Sequence, residues 1–147
     1  MAIADIQPGR SWCDWDVGLA LRDPAALREA GAELAERVAV HAFCQWRFFE
    51  QWQRLKLYAN DRGIRIVGDA PIFIAHQSAE VWSRPELFEL DARGASTVVA
   101  GVPPDYFSAT GQRWGNPLYR WDALERSGYA WWIERVRQAF QLYDWVR

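Results

Sequence analysis

The sequence predicts an α/β fold, and three observations lead to this prediction. Helical spacing of apolar residues runs from Pro24 to about Asn60, and a run of β-branched residues follows at positions 64–67. A second helical stretch and a second short strand occupy positions 121–147. A nearly unbroken apolar strand is typical of a parallel sheet that helices cover on both faces. Helix and strand therefore alternate as they do in α/β proteins.

The first helix has a clear start signal. Asp23 is a favourable N-cap residue, and Pro24 suits the first helical position, where no amide hydrogen is needed. We expect residues 1–22, which precede this signal, to be irregular. Trp12 and Trp15 are expected to pack against the rest of the chain, because large indole rings are rarely left in water.

Glycines mark the later boundaries. Gly63 fits the C-terminal cap after Asn60, and Gly31 predicts an interruption inside the helix. The stretch "FELDARGASTVV" predicts a hairpin whose turn runs from Asp91 to Gly94. "WDALERSG" and "YAWWIERVRQAF" predict two helices separated by a glycine, and "YDWVR" predicts the second strand of the sheet.

Composition narrows the class of protein. The 147 residues are half apolar, with a net charge of −2, which favours one globular domain. There is no basic run, no apolar stretch of the roughly 20 residues that span a membrane, and no recognisable signal peptide. We therefore expect neither a nucleic-acid nor a membrane partner, and a cytoplasmic location with Cys13 and Cys44 reduced. Ten tryptophans indicate a sugar-binding surface or contacts outside the chain.

The stretch "GVPPDYFSATGQRWGNPLYRWD", residues 101–122, has the prolines and glycines of a surface loop but carries five large aromatic residues. Flat rings pack on the C–H faces of sugars, while amides and carboxylates bind their hydroxyls. The candidate platforms are Tyr106, Phe107 and Trp114, and the candidate hydrogen-bonding groups are Asp105, Gln112 and Asn116. This composition suits a carbohydrate cleft. An equally open alternative is that the aromatic residues pin the loop to its own core.

Asp69 directly follows the first strand, after Gly68. In (β/α)8 barrels the carboxyl ends of the strands carry the active site, so Asp69 is a candidate ligand for substrate hydroxyls. The alternative is an aspartate that caps a turn or helix. A barrel takes about 250 residues, whereas this sequence offers two candidate barrel strands. We therefore expect a piece of a larger domain, with open strand edges and exposed apolar surface.

Long motifs in the sequence resemble glycoside hydrolase family 77, the 4-α-glucanotransferases or amylomaltases. They are "GIRIVGDAPIFIAHQSAEVWSRPELFELD", "TVVAGVPPDYFSATGQRWGNPLY" and "GYAWWIERVR", and the likeness runs from about residue 12 to the end. The resemblance implies a (β/α)8 barrel with inserted subdomains. It also implies transfer of α-1,4-glucan segments between glucans, through a glycosyl-enzyme formed on a carboxylate nucleophile, with a glutamic acid as acid and base.

The resemblance also assigns roles to residues. Asp69 matches an aspartate that contacts the sugar at the cleavage subsite. Arg147 matches an arginine two positions before the nucleophile, which would keep that carboxylate ionised. Asp105, Tyr106 and Phe107 match a flexible loop over the acceptor side, and Gln112 and Trp114 match residues that line the donor sugars. Gln77 and Trp145 depart from the family pattern, which often has an acidic residue and a small aliphatic residue there.

By this resemblance the nucleophile and the acid/base lie beyond Arg147. We therefore expect residues 1–147 to be part of one catalytic barrel domain that carries substrate-binding elements only and is inactive in isolation. The expected partners are an α-glucan and the rest of the same barrel, and no metal or cofactor is expected. Two alternatives remain open, a carbohydrate-binding module without catalysis and a domain remnant without function.

Overall fold

The computed structural model describes all 147 residues and shows an α/β chain. It contains seven α-helices, two 3₁₀ turns at Trp12–Asp14 and Pro85–Leu87, and four strands. The helices are α1 Ala2–Asp5, α2 Val17–Ala20, α3 Pro24–Glu33, α4 Ala35–Asn60, α5 Ala79–Ser83, α6 Trp121–Arg126 and α7 Ala130–Leu142. The strands are β1 Val67–Gly68, β2 Val99–Val102, β3 Gln112–Pro117 and β4 Trp145–Val146. None of the helices has both the length and the apolar character to cross a membrane.

The start signal predicted for the first long helix is confirmed. Asp23 Oδ1 accepts hydrogen bonds from the amides of Ala25 and Ala26 at 2.9 and 3.0 Å, and α3 begins at the next residue. The interruption predicted near Gly31 falls at Leu34, where the helical backbone is broken between α3 and α4. Gly31 stays inside α3, because glycine adopts helical angles at a modest entropic cost.

The two strands predicted for the sheet form a parallel pair. Val67 of β1 lies opposite Trp145 of β4, and Gly68 lies opposite Val146. The expectation that the first strand is buried on both faces is wrong for this chain, because Val67 is 59% exposed. Each of these strands has a single strand neighbour among the 147 residues, so its other edge and much of its side-chain surface face solvent.

The stretch from 101 to 122 is not a surface loop throughout. Strands β2 and β3 pair antiparallel, with Gly101 opposite Arg113 and Val102 opposite Gln112, so only residues 103–111 form the loop at the hairpin tip. The smaller hairpin is reduced to one bridge between Leu90 and Ser96, next to the predicted turn. The composition of this stretch is typical of turns, but both of its ends form strands. The backbone groups of a strand need hydrogen-bond partners, and local composition does not reveal which residues supply them.

The core lies between the N-terminal segment, the α5 region and the start of α6. Its largest fully buried side chains include Trp12, Phe88 and Leu124. The irregular N-terminus predicted from sequence is wrong in part, because α1 and α2 form there; the packing of Trp12 and Trp15 is confirmed at 2% and 5% exposure. Trp12 also satisfies its ring N–H, which donates to the His76 carbonyl at 2.8 Å.

A large apolar surface remains outside this core. Only 15 of the 147 residues are buried, and most of the exposed large apolar side chains outside the hairpin lie on the two longest helices and beside the parallel strands. They include Phe43, Trp46, Phe48, Leu55, Leu57, Ile64, Val67, Ile133, Phe140 and Trp145. The exposed apolar surface expected from the sequence is therefore confirmed.

Candidate functional site

The parallel pair places Asp69 and Arg147 side by side. They are the next residues after β1 and β4, so the register that aligns Gly68 with Val146 also aligns them. The backbone confirms this alignment, because Arg147 N donates to Gly68 O at 2.9 Å and Ala70 N donates to Arg147 O at 3.0 Å. The carboxyl ends of two neighbouring strands thus present one carboxylate and one guanidinium to the same side.

The Asp69–Arg147 pair is bidentate. Arg147 Nε donates to Asp69 Oδ1 at 2.9 Å, and Arg147 Nη2 donates to Asp69 Oδ2 at 2.8 Å. The hydrogen bond from Arg147 lowers the pKa of the Asp69 carboxyl, and its charge acts in the same direction. Both side chains are mostly exposed, so water screens the pair and both groups remain accessible to a ligand. Asp69 is therefore an ionised hydrogen-bond acceptor beside a fixed donor.

Gly68 is required by the ring of Tyr143, the residue that follows α7 and precedes β4. A Cβ atom at Gly68 would lie 2.0 Å from the ring of Tyr143, which covers the strand at this point. The Tyr143 ring in turn meets Trp52 of α4 edge-on, with ring centroids 6.0 Å apart. The glycine before Asp69 thus lets an aromatic ring close over the strand that carries the carboxylate.

Three of the predicted sugar-binding residues lie on β3, whose pairing is irregular around Gly115. Gln112 and Trp114, two residues apart before this irregularity, have their side chains on the same side of the strand, and Asn116 follows it. Trp114 Nε1 donates to Gln112 Oε1 at 3.0 Å, and Asn116 Nδ2 donates to Ile74 O at 3.0 Å. Trp114 is 49% exposed, with part of its ring against Phe73 at a centroid distance of 6.1 Å. β3 thus presents one half-exposed indole ring between two side-chain amide groups.

The segment at positions 71–74 joins this face to Asp69. Tyr119 donates its hydroxyl to Ile72 O at 2.7 Å and stacks on Phe73 with ring planes 17° apart. Arg135 of α7 donates to the carbonyl of Pro71. Sequence reasoning missed Phe73 and Arg135 and treated Tyr119 only as a loop aromatic, because these contacts link residues more than 40 positions apart.

The remaining predicted residues form the tip of the β2–β3 hairpin. Asp105 Oδ1 accepts hydrogen bonds from the amides of Phe107 and Ser108 at 2.9 and 2.8 Å, which folds the tip into a tight turn. Tyr106 and Phe107 are 97% and 88% exposed, and their rings meet edge-on at 5.6 Å. Asp105 thus shapes the tip, while the two rings it presents are free to meet a ligand.

The structure therefore sorts the predicted site residues into three groups. Asp69 pairs with Arg147, β3 carries three residues, and the hairpin tip holds the remaining three. These groups supply ring faces and hydrogen-bonding atoms, which suit a polyhydroxylated ligand. No three His, Cys, Asp or Glu side chains of the chain gather as metal ligands would.

The two residues that depart from the family pattern either bind other residues or are exposed to solvent. Gln77 Oε1 accepts a hydrogen bond from Trp12 N at 3.3 Å, and its amide donates to Ser11 Oγ at 2.8 Å. Trp145 is 66% exposed. His41 contacts Asp5 with 2.6 Å between Nε2 and Oδ2 and so joins α4 to α1.

The chain has parallel strands flanked by helices, with a carboxylate and a guanidinium at the carboxyl ends of the strands and aromatic rings nearby. These features define an α/β protein of the kind that binds ligands at strand ends. A family model described as 4-alpha-glucanotransferase, glycoside hydrolase family 77, matches residues 1–147. The chain therefore belongs to this family.

Relatives and a solved structure agree with the family. The chain is 58% identical over 147 residues to a 4-alpha-glucanotransferase of Thermus thermophilus, covering all of this chain and 29% of that protein. It is 42% identical over 137 residues to the chloroplastic/amyloplastic 4-alpha-glucanotransferase of Solanum tuberosum, covering 93% of this chain and 24% of that protein. It superposes on an amylomaltase from Streptococcus agalactiae in complex with acarbose with a TM-score of 0.96 at 42% identity, covering all of this chain and 30% of that one. The chain thus spans less than a third of these relatives.

Proposed function

We propose that this chain supplies substrate-binding elements of a 4-alpha-glucanotransferase, which transfers α-1,4-glucan segments through a retaining glycosyl-enzyme mechanism. The observation that carries the proposal is the bidentate Asp69–Arg147 pair at the carboxyl ends of β1 and β4, in a chain of this family. A retaining site needs two carboxyl groups about 5 Å apart across the scissile bond. The proposal assigns both to the part of the enzyme outside the matched segment.

We assign the chain to one wall of a (β/α)8 barrel. Two features support this assignment: adjacent parallel strands joined through a helical crossover, and apolar side chains left exposed on α4, α7 and β1. In a barrel, further strands would pair with the open edges of β1 and β4, and neighbouring helices would cover the exposed rings. The rest of the same barrel is thus the proposed protein partner.

In the proposed site, Asp69 accepts hydrogen bonds from sugar hydroxyls, and the Trp114 ring packs against a sugar face beside Gln112. Arg147 binds Asp69, and its charge favours the ionised form of that carboxyl. By the family motif, the same charge would favour an ionised nucleophile two positions further along the chain. Tyr106 and Phe107 form an apolar cover that a glucan acceptor can displace or pack against. This cover favours transfer because it keeps water from the glycosyl-enzyme.

A hybrid enzyme tests the proposal. In this hybrid, the present chain replaces the matching 29% of the Thermus thermophilus relative, to which it is 58% identical. We expect the hybrid to disproportionate maltotriose, with glucose release as the measurement, because the chain would complete the binding cleft around the relative's own carboxylates. The isolated chain is the control and should release no glucose. A folded hybrid, shown by circular dichroism and gel filtration, that lacks activity would contradict the proposal.

The hairpin tip gives a second prediction in the same hybrid enzyme. Tyr106→Ala combined with Phe107→Ala should lower the ratio of transfer to hydrolysis by about tenfold, because water then reaches the glycosyl-enzyme more easily. Stability should stay within about 0.5 kcal/mol, since both side chains are almost fully exposed. The measurement compares reducing ends formed with glucose transferred. Tyr106→Phe is the matched control, because it keeps the ring, and an unchanged ratio in the double variant would count against the role.

A further inference from the structure

Asp144 occupies the end of the parallel pair opposite the Asp69–Arg147 pair. Its side chain is only 13% exposed, although it carries a carboxylate. Asp144 Oδ2 accepts hydrogen bonds from Ile66 N at 2.8 Å and from Asn60 Nδ2 at 2.9 Å. Lys56 Nζ and Arg65 Nη1 each lie 4.0 Å from Asp144 Oδ1. The largely covered carboxylate is therefore satisfied by hydrogen bonds and faced by two positive charges.

Asp144 binds both backbone polar groups of Ile66, the residue just before β1. Its side chain accepts from Ile66 N, and its backbone N donates to Ile66 O at 2.9 Å. The smallest slip of β4 along β1 that keeps the same side chains on each face is two residues, or about 6.6 Å. Hydrogen bonds of 2.8 and 2.9 Å would not survive that displacement.

The same slip would separate Arg147 from Asp69, because both residues follow their strands without a break. Apart from the Tyr143 ring over Gly68 and the Asp69–Arg147 pair itself, little on these strands selects the register. The paired segment is two residues long on each strand, and Val67 and Trp145 of the first pair are mostly exposed. Backbone hydrogen bonds of a parallel ladder have the same form in every register. A side chain that binds one particular amide, as Asp144 binds the Ile66 amide, is therefore a specific determinant of the register.

We propose that Asp144 is a positioning residue whose carboxylate fixes the register of β4 against β1 and thereby brings Arg147 onto Asp69. The hydrogen bond to the Ile66 amide is the largest of the effects that lower the pKa of Asp144, and the Asn60 bond is the next. Asp144 is thus an ionised acceptor wherever the chain is folded near neutral pH. Its link to catalysis rests on the proposed function, whereas its effect on the register does not.

The test compares Asp144 variants of the hybrid enzyme. Asp144→Ala should raise the pKa of the Asp69 carboxyl towards its ordinary value, measured by carboxyl carbon NMR with Asp69→Asn identifying the signal. It should also speed hydrogen exchange of the Ile66 amide. In maltotriose disproportionation, kcat should fall by roughly 10- to 100-fold with a smaller change in KM, because Arg147 is misplaced rather than removed. Asp144→Asn should restore most of this loss, since its amide oxygen can accept the same two hydrogen bonds.

Asp122 provides the matched control. Like Asp144, Asp122 is an aspartate with a lowered pKa, in its case mainly because of the hydrogen bond from Arg126. It lies on α6, away from the parallel strands. Asp122→Ala should leave the pKa of Asp69, the exchange of Ile66 and kcat unchanged. An Asp144→Ala protein with an unchanged Asp69 pKa and unchanged Ile66 exchange would overturn the proposal.

Two further outcomes are decisive. If Asp144→Ala does not fold, Asp144→Glu replaces it, because the longer side chain keeps the charge but displaces the acceptor. The proposal then requires Asp144→Glu to disturb Asp69 and Asp144→Asn to spare it, and the reverse order overturns it. If the parent hybrid is inactive, the proposed function fails, while the NMR and exchange measurements still decide the role of Asp144.

Discussion

Replacing Arg147 with lysine in the hybrid enzyme should lower kcat for maltotriose disproportionation by roughly 100- to 1,000-fold. The planar guanidinium donates to both oxygens of Asp69 at once, with N–O distances of 2.9 and 2.8 Å. Lysine keeps the charge but places a single ammonium group, which cannot hold a carboxylate in that orientation. Removing one preorganised charge-stabilising donor from an active site typically costs rates of this size.

Two substitutions separate the effect of the planar guanidinium geometry from the effect of its charge. Arg147→Lys and Arg147→Ala should both be impaired, with alanine the more severe, and the pKa of Asp69 should rise in both. Arg137→Lys is the matched control, because Arg137 is also exposed but pairs with Glu134 within α7. The role assigned to Arg147 fails if Arg147→Lys retains kcat within twofold of the hybrid enzyme.

Replacing Gly68 with alanine should destabilise the protein by about 3 kcal/mol, at the upper end of the range for overpacking. The new Cβ would lie 2.0 Å from the Tyr143 ring, whose contact with Trp52 leaves it little room to withdraw. The backbone of β1 would have to move away from β4 instead, which would also disturb Asp69. Urea unfolding measures the loss, and the maltotriose assay of the hybrid enzyme should show a parallel loss of activity.

Gly31→Ala is the control for this substitution. Gly31 lies inside α3 with nothing within 4 Å of the position that a Cβ would take. Alanine should therefore stabilise the protein there by about 0.5–1 kcal/mol. The double variant Gly68→Ala with Tyr143→Ala should be less destabilised than the two single losses together, because removing the ring removes the collision. If the two single losses of stability simply add in the double variant, the collision with the Tyr143 ring is not the cause of the destabilisation.

Features dictated by one or two residues could be predicted from the sequence. Asp23 and Pro24 gave the start of α3, and Gly63, with a φ of 74°, lies just past the end of α4 as predicted. The turn from Asp91 to Gly94 was also found, because an aspartate and a glycine with positive φ form such a turn from their own backbone geometry.

Features that depend on distant partners could not be predicted. The sequence of residues 101–122 does not reveal that β2 pairs with β3, because composition describes a loop and a short irregular hairpin equally well. For the same reason the binding of Asn116 to Ile74 O, and of Arg135 to Pro71 O, had no signal in the sequence. The exposure of Val67 differs from expectation because burial of a strand is set by elements that pack on it, not by the strand itself.

The hairpin tip differs from its base in how it is held. Every hydrogen bond made by Asp105, Ser108 and Gly111 in the tip closes on another tip residue, and the base is anchored through Asn116 to the segment after Asp69. Displacement of the tip as one unit about the β2–β3 ladder therefore breaks none of these bonds. In the proposed site, a ligand that moves the tip would meet resistance from the ladder and from solvent drag, while the turn that presents the two rings stays intact.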